Sequence, residues 1–284
     1  MTALDQFLTK AETTYHHKEF LSFDPLELVH SYTNPWDQEA IALIAGVLAY
    51  GNVKQIKKSV QDAISRIHRL AESPQVFVQQ LNQTLFRKKA LQAFQNYVHR
   101  FNQGSDLIHL LQLLQSSWTR YGSLGGHFLT YLNPKDETIE TALNLLIKDW
   151  RFQLKPLGVE PTFSYLLTAP EDGSCCKRWC MILRWMGRKD ALDLGLWMKT
   201  SPLQSTFPAG RALESRQLVM PLDTHTGRLS QTLGLTQKKS LNWKVALEVT
   251  QRLKTLDPLD PTRFDFALTR LGMIEGSHKQ QVNA

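Results

Sequence analysis

The chain has 284 residues, 42% of them hydrophobic, and a net charge of +7. That length suffices for one large or two modest domains with a real core, and the basic excess fits an anionic partner, of which nucleic acid is the commonest. No run of roughly 18 apolar residues occurs, so a membrane span is not expected, and the charged N-terminal stretch MTALDQFLTKAETTYHHKEF is not a secretory signal, which leaves the cytoplasm as the expected compartment.

Taken in order, residues 1–20 read as a polar amphipathic helix. Asp24-Pro25 opens a second helix, ending near Tyr32, with Asp24 as N-cap and Pro25 at the first helical position. Asn34-Pro35 opens a third, whose run Ala40, Ile41, Leu43, Ile44, Val47 and Leu48 leaves little polar face and should lie in the core. It should stop at Tyr50-Gly51-Asn52, where Gly51 suits a C-cap. Residues 53–73 continue as a basic helix bearing Lys54, Lys57, Lys58, Arg66 and Arg69, which is either a solvated face or a phosphate-facing one.

A helix from Phe86 to Phe101, a buried leucine-rich helix capped by Gly104-Ser105-Asp106, and a flexible connector at Tyr121–Gly126 follow. The connector's glycines are not a phosphate loop, because no Gly-Lys-Ser/Thr comes after them. Further helices are predicted over 137–150, within PTFSYLLTAP, over 173–188, from Thr224, around Trp243–Leu253, and after Asp260-Pro261. The tail from Gly276 to Ala284 is polar and reads as disordered. With no convincing period-two alternation, the predicted fold is all-α in one unit over residues 1–275.

The stretch richest in chemistry is Glu171–Leu235. Asp172-Gly173-Ser174 supplies a turn, and Lys177 falls in the first turn of the helix after it. With Lys177 at 0°, Met181, Arg184 and Arg188 lie within about 40° of it, while Trp179, Ile182, Leu183 and Met186 lie opposite. This predicts one outward basic line and one inward apolar face. Cations are disfavoured at a helix N-terminus, and a neutral lysine amine is a nucleophile. A solvated basic face is the plain alternative. Asp223, before Thr-His-Thr-Gly-Arg-Leu, is an N-cap, and it has a chemical role only if it meets Lys177 across a cleft. Cys175, Cys176 and Cys180 read as small buried residues, since the i, i+4 pair finds no further ligands for a metal site. No metal or cofactor is predicted.

A lysine-bearing helix after a turn, followed by Leu-Asp-Thr-His-Thr-Gly-Arg-Leu before Leu-Gly-Leu, resembles the helix-hairpin-helix DNA glycosylases. The likeness is greatest to archaeal-type 8-oxoguanine DNA glycosylases, which also lack a Leu-Pro-Gly-Val-Gly hairpin, and it covers mainly residues 161–275. The pieces DPLELVHSY, AYGN, GSCCKR, LRWMGRKD, DLGLW, PLDTHTGRL and FDFALTRLG also resemble a conserved family of uncharacterised bacterial proteins over nearly the full length. The glycosylase resemblance implies two helical lobes around a cleft, with Lys177 as catalytic nucleophile and Asp223 as its carboxylate. It implies DNA contacts from Gly173, Ser174, Arg178, Arg184, Arg188, Tyr50, Asn52, His225 and Arg228. It further implies damaged double-stranded DNA as partner, a monomer, a nucleoid-associated location, and excision of a base such as 8-oxoguanine, with or without strand cleavage at the abasic site. The sequence departs from the glycosylase pattern in the 46 positions between Lys177 and Asp223, where a segment around Asp193–Trp197 and Pro202–Arg211 is inserted, and in lacking a C-terminal iron–sulfur cysteine cluster. A non-catalytic helix-hairpin-helix module binding damaged or branched DNA remains open on the same residues, as does a role without DNA.

Overall fold

The computed structural model describes residues 2–157 and 161–282 and is mostly α-helical. Helix α1 (Ala3–Tyr15) leads through a 3-10 segment (Lys18–Phe23) into the short α2 (Leu26–Val29), where Asp24 Oδ1 accepts the Leu26 N–H at 2.9 Å. Helix α3 (Pro35–Val47) starts where the sequence places it, with Asn34 Oδ1 accepting from Trp36 and Asp37. Nearly all of α3 is buried, and it is the central helix of the core. The basic helix α4 (Val53–His68) follows, with α5 (Pro74–Gln80), α6 (Thr84–Ala93), the leucine-rich α7 (Gly104–Tyr121), α8 (Leu124–Tyr131) and α9 (Glu140–Leu154). After 3-10 turns at Pro161–Leu166 and Pro170–Asp172 come α10 (Lys177–Gly187), α11 (Thr224–Thr232), α12 (Trp243–Lys254) and α13 (Asp265–Val282).

Four expectations are corrected. Helix α6 ends at Ala93, and residues 98–103 form a tight antiparallel hairpin, β1 (Val98–His99) with β2 (Asn102–Gln103). The glycines of Tyr121–Gly126 do not make a flexible connector: Gly122, at φ +78°, ends α7, and Gly125 lies in α8 against Trp197, whose Cδ1 would be 2.5 Å from any Cβ there. Helix α10 begins at Lys177 rather than at residue 173, preceded by Cys176 at φ +48°. Helix α13 (Asp265–Val282) begins past Asp260-Pro261 and takes in most of the stretch from Gly276 that the sequence assigns to a disordered tail; Asn283 and Ala284 lie outside the described residues.

The helices around α3 are tied together by one buried carboxylate. Glu39 Oε1 accepts from Trp197 Nε1 (2.8 Å) and the Gly125 N–H (2.9 Å), and Oε2 from Trp118 Nε1 (2.5 Å) and the Leu124 N–H (2.8 Å). Burial pushes its carboxyl up, and the four donors act against that shift. A buried carboxylate is tolerable when every lone pair is used in this way. Glu39→Ala leaves four buried donors unpaired and is expected to cost about 3 kcal/mol or more, whereas Glu39→Gln, which keeps one acceptor oxygen, should cost less. Urea denaturation measures both, and a loss under about 1 kcal/mol for Glu39→Ala would contradict this role.

Candidate active site

Helix α10 crosses α3 at Gly46, where any Cβ would lie 2.1 Å from Ile182 Cγ1, so only glycine admits the contact. This crossing sets the N-terminus of α10 against the C-terminus of α3. Arg178 Nη1 donates to Val47 O at 2.7 Å, and Lys177 Nζ lies 3.5 Å from Ala49 O. Two cations that are unfavourable at the start of their own helix are thereby placed at the favourable negative end of another.

Lys177 Nζ stands 3.9 Å from Asp223 Oδ2, with the side chains 27% and 29% exposed. This is ion-pair range, and it is wider than a hydrogen bond. Asp223 is also the N-cap of α11: its Oδ1 accepts from the His225 N–H (2.8 Å) and the Thr226 N–H (3.0 Å), while its own N–H donates to Thr226 Oγ1 (2.8 Å). Burial pushes the Asp223 carboxyl up, but Lys177 and the two capping N–H groups outweigh it and hold the group below the usual carboxylate range. Oδ1 is engaged by the cap, and Oδ2 faces the amine.

The pair forms part of a wall between two cavities. The larger, ≈ 820 Å³, runs from Lys177 and Asp223 to α4 and the floor residues Arg184, Asp265 and Arg270. The smaller, ≈ 440 Å³, opens toward Tyr50, Tyr165, Ser174 and Arg178. Lys177, Asp223 and His225 line both. The larger cavity carries six cations (Lys54, Lys57, Lys58, Lys177, Arg184 and Arg270) against three aspartates (Asp24, Asp223 and Asp265), and Glu27 and Asp193, paired with Lys57 and Arg184, offset two more of the charges, which leaves a small basic excess. Burial pushes the Asp265 carboxyl up to about 6, with Arg184 and Lys177 offsetting part of that rise.

The remaining predicted site residues divide into four groups. Tyr50, Ser174 and His225 line the smaller cavity beside the pair. The Tyr50 hydroxyl donates to His99 O and Asn102 Oδ1, and Ser174 Oγ accepts the Cys176 N–H at 3.1 Å. Asn52 is the N-cap of α4, at the edge of the larger cavity. Gly173 is exposed at φ +74°, with its N–H bonded to Pro170 O, and Arg228 is exposed on α11.

Arg184 and Arg188 do not form the outward basic line that the helical spacing predicts, and Arg178, implied as a DNA contact, is not open to solvent either. Arg178 is buried, with its guanidinium 4.2 Å from the Tyr165 ring centroid and bonded to Tyr165 O. Arg184, 2% exposed, pairs with Asp265 (2.7 Å) and Asp193 (3.3 Å). Arg188 pairs with Asp190, Asp193 and Asp260. For Arg184 and Arg188 the segment after α10 is the reason: it folds over α10, its Leu194 and Gly195 N–H groups donate to Trp185 O, its Trp197 N–H donates to Met186 O, and it carries Asp193 inward. Cys176 and Cys180 are buried, as small core residues should be. The sequence does not mark Phe23, Asp24, Asp265 and Arg270 as site residues, because nothing local joins a 3-10 turn near the N-terminus to the last helix.

The model of a family described as a protein of unknown function (DUF2400) matches residues 24–274. The chain belongs to this family. The matched range contains Lys177, Asp223, the smaller cavity and the lining of the larger one except Ser22 and Phe23, and it leaves out all of α1 and the 3-10 segment through Phe23. Comparisons with curated proteins and with solved structures each return no match. Among the described residues, no helix is long and apolar enough to cross a membrane.

The double use of Asp223 separates its structural from its chemical role. Asp223→Ala removes the cap and is expected to cost about 1 kcal/mol, whereas Asp223→Asn, an equally good cap, should stay within roughly 0.5 kcal/mol of wild type. Thermal denaturation of the two variants checks this, and equal losses would contradict the capping geometry.

Proposed function

We propose that this protein is a DNA base-excision glycosylase with abasic-site lyase activity, in which Lys177 is the nucleophile and Asp223 its carboxylate. The observation that carries the reading is the approach of Lys177 Nζ to Asp223 Oδ2, 3.9 Å apart on a wall shared by two cavities. The two residues lie 46 positions apart in the chain, and they are the residues that the resemblance to helix-hairpin-helix glycosylases marks. Nucleophile–base spacings are often loose before substrate binds.

In the reaction, the amine attacks the deoxyribose C1′ as the bond from C1′ to the base breaks, and the base departs with the bonding pair and takes up a proton. Positive charge develops on the sugar in the transition state, and a carboxylate beside it is stabilising. Asp223 then accepts the proton that the attacking nitrogen must lose. Opening of the sugar at O4′ gives a Schiff base at C1′. Loss of a proton from C2′ then expels the 3′ phosphate and cuts the strand. The cations of α4 on the larger cavity are suited to the deformed phosphate backbone that such chemistry requires. The burial of Arg178, Arg184 and Arg188 moves the expected phosphate contacts to Lys54, Lys58, His225 and Arg228. First substrates to try are duplexes carrying 8-oxoguanine, uracil or an abasic site, with the protein acting as a monomer in the cytoplasm near the nucleoid.

Borohydride reduction tests the reading. Wild type should form a covalent complex with the abasic duplex, Lys177→Ala should form none, and Asp223→Asn should slow trapping by about 10²-fold or more. Wild-type protein that binds these duplexes in a salt-dependent manner, yet traps none and releases no base, would replace the enzyme with a non-catalytic DNA-binding module.

A further inference from the structure

A third cavity lies at the other end of α3 from the Lys177–Asp223 pair. Trp36, in the first turn of α3, and Val47, at its end, are separated by about 16 Å along the helix axis. The cleft, of ≈ 370 Å³, receives Trp36 from α3, Gln75 and Gln79 from α5, Asn82 from the turn that follows, and Gln115 and Trp118 from α7. Among the described residues, no side chain lining it is charged. Two carboxylates behind the lining are buried and engaged: Asp37 Oδ1 accepts the Gln75 N–H at 2.6 Å, and Glu39 is saturated by its four donors. A phosphate, a carboxylate or an ammonium group would find no counter-ion on these walls, so the cleft selects for an uncharged ligand.

Both indoles have their one polar atom engaged by the protein. Trp36 Nε1 donates to Gly122 O at 3.0 Å and Trp118 Nε1 to Glu39 Oε2, so what they offer the cleft is carbon. The carboxamides supply the polar groups, and two of them are already oriented. Asn34 Oδ1 caps α3, which leaves its Nδ2 to donate to Gln75 Oε1 at 3.1 Å and the Gln75 N–H groups as donors for a ligand. Gln115 Nε2 donates to Thr119 Oγ1 at 2.8 Å, which leaves Gln115 Oε1 as an acceptor. Gln79 and Asn82 are exposed, and each carries donors and an acceptor. Carbon surface beside uncharged donors and acceptors fits a neutral pyranose, whose ring C–H groups are apolar and whose hydroxyls each donate and accept. Polar groups oriented before binding lower the cost of ordering them, and the volume lies in the range that encloses small molecules.

We infer that this cleft binds a neutral sugar ring, with Trp36 and Trp118 as its apolar side and Gln75, Asn82 and Gln115 as the readers of the hydroxyls. The inference goes beyond the proposed function and uses none of its residues. A free monosaccharide and the terminal residue of a glycan present the same ring, so both sources belong in the test.

Saturation-transfer NMR titration of the full chain with the methyl β-glycosides of glucose, galactose and N-acetylglucosamine decides the inference. Wild type should saturate the ring protons of at least one glycoside, and Lys177→Ala should do so with the same apparent Kd. Gln75→Ala and Asn82→Ala should each raise that Kd about fivefold, the contribution of one neutral hydrogen bond. Neither side chain is buried, so both variants should fold as wild type. Glucose 6-phosphate should bind no more tightly than methyl glucoside. Cellobiose, lactose and di-N-acetylchitobiose carry the same three rings at their ends and separate the sources. Binding of the matching disaccharide through its terminal ring assigns the cleft to a glycan end, and its exclusion assigns the cleft to a free sugar. No transfer to any of the three glycosides, an unchanged Kd in both variants, or tighter binding of the phosphate overturns the inference.

Discussion

The position of Lys177 depends on charge buried at the other end of its helix. Arg184 and Arg188 sit in the interior, and Asp193 lies between them, with Asp265 and Asp260 completing the pairs. A guanidinium left there alone would carry a desolvation penalty of several kcal/mol. Both arginines are kept inside by the segment that folds over α10 and by Asp260 and Asp265 at the approach to α13. These pairs anchor the C-terminal half of α10, and Arg178 ties its first turn to the end of α3. Burial also pushes the Asp193 and Asp265 carboxyls up, the cost of holding acids where water is excluded. The arginines are therefore structural members of the site rather than its contact surface.

The same insertion serves two ends of the molecule. Its Asp193 neutralises α10, and its Trp197 reaches Glu39 on α3 and stacks on Phe128 of α8. Glu39 is the counterpart of the arginine network: an anion held by neutral N–H donors, where the arginines are cations held by carboxylates. Together they fix α3, α8 and α10 relative to one another. The Lys177–Asp223 pair lies at the open edge of this frame, where α11 brings its N-cap to the start of α10. A lysine and a carboxylate placed by helices are held more precisely than a pair carried on loops.

Local chemistry was legible in the sequence wherever a short-range rule decides it. Asn34-Pro35 opens α3, and Asp223 caps α11, because capping involves only the next two or three residues. Periodicity separated the apolar side of α10 from its basic side, but it cannot say what covers the basic side, and the covering segment lies beyond the helix. The glycines at 125–126 read as flexible because glycine permits both freedom and close approach; the choice was made by Trp197, about seventy positions away. The hairpin at residues 98–103 is too short for alternation to register, and it turns at Arg100, a non-glycine residue at φ +56°. Phe23 and Arg270 meet across 247 positions, a pairing that only the fold produces.

The most direct measurement is to locate the covalent bond. Borohydride-fixed complex formed with an abasic duplex is digested, and the modified peptide is sequenced by mass spectrometry. The account predicts the sugar adduct on Lys177 alone, and its disappearance without redistribution in Lys177→Ala. An adduct on Lys54, Lys58, the N-terminal amine or any other position would contradict it, since the cavity wall would then present a different nucleophile from the one that Asp223 faces.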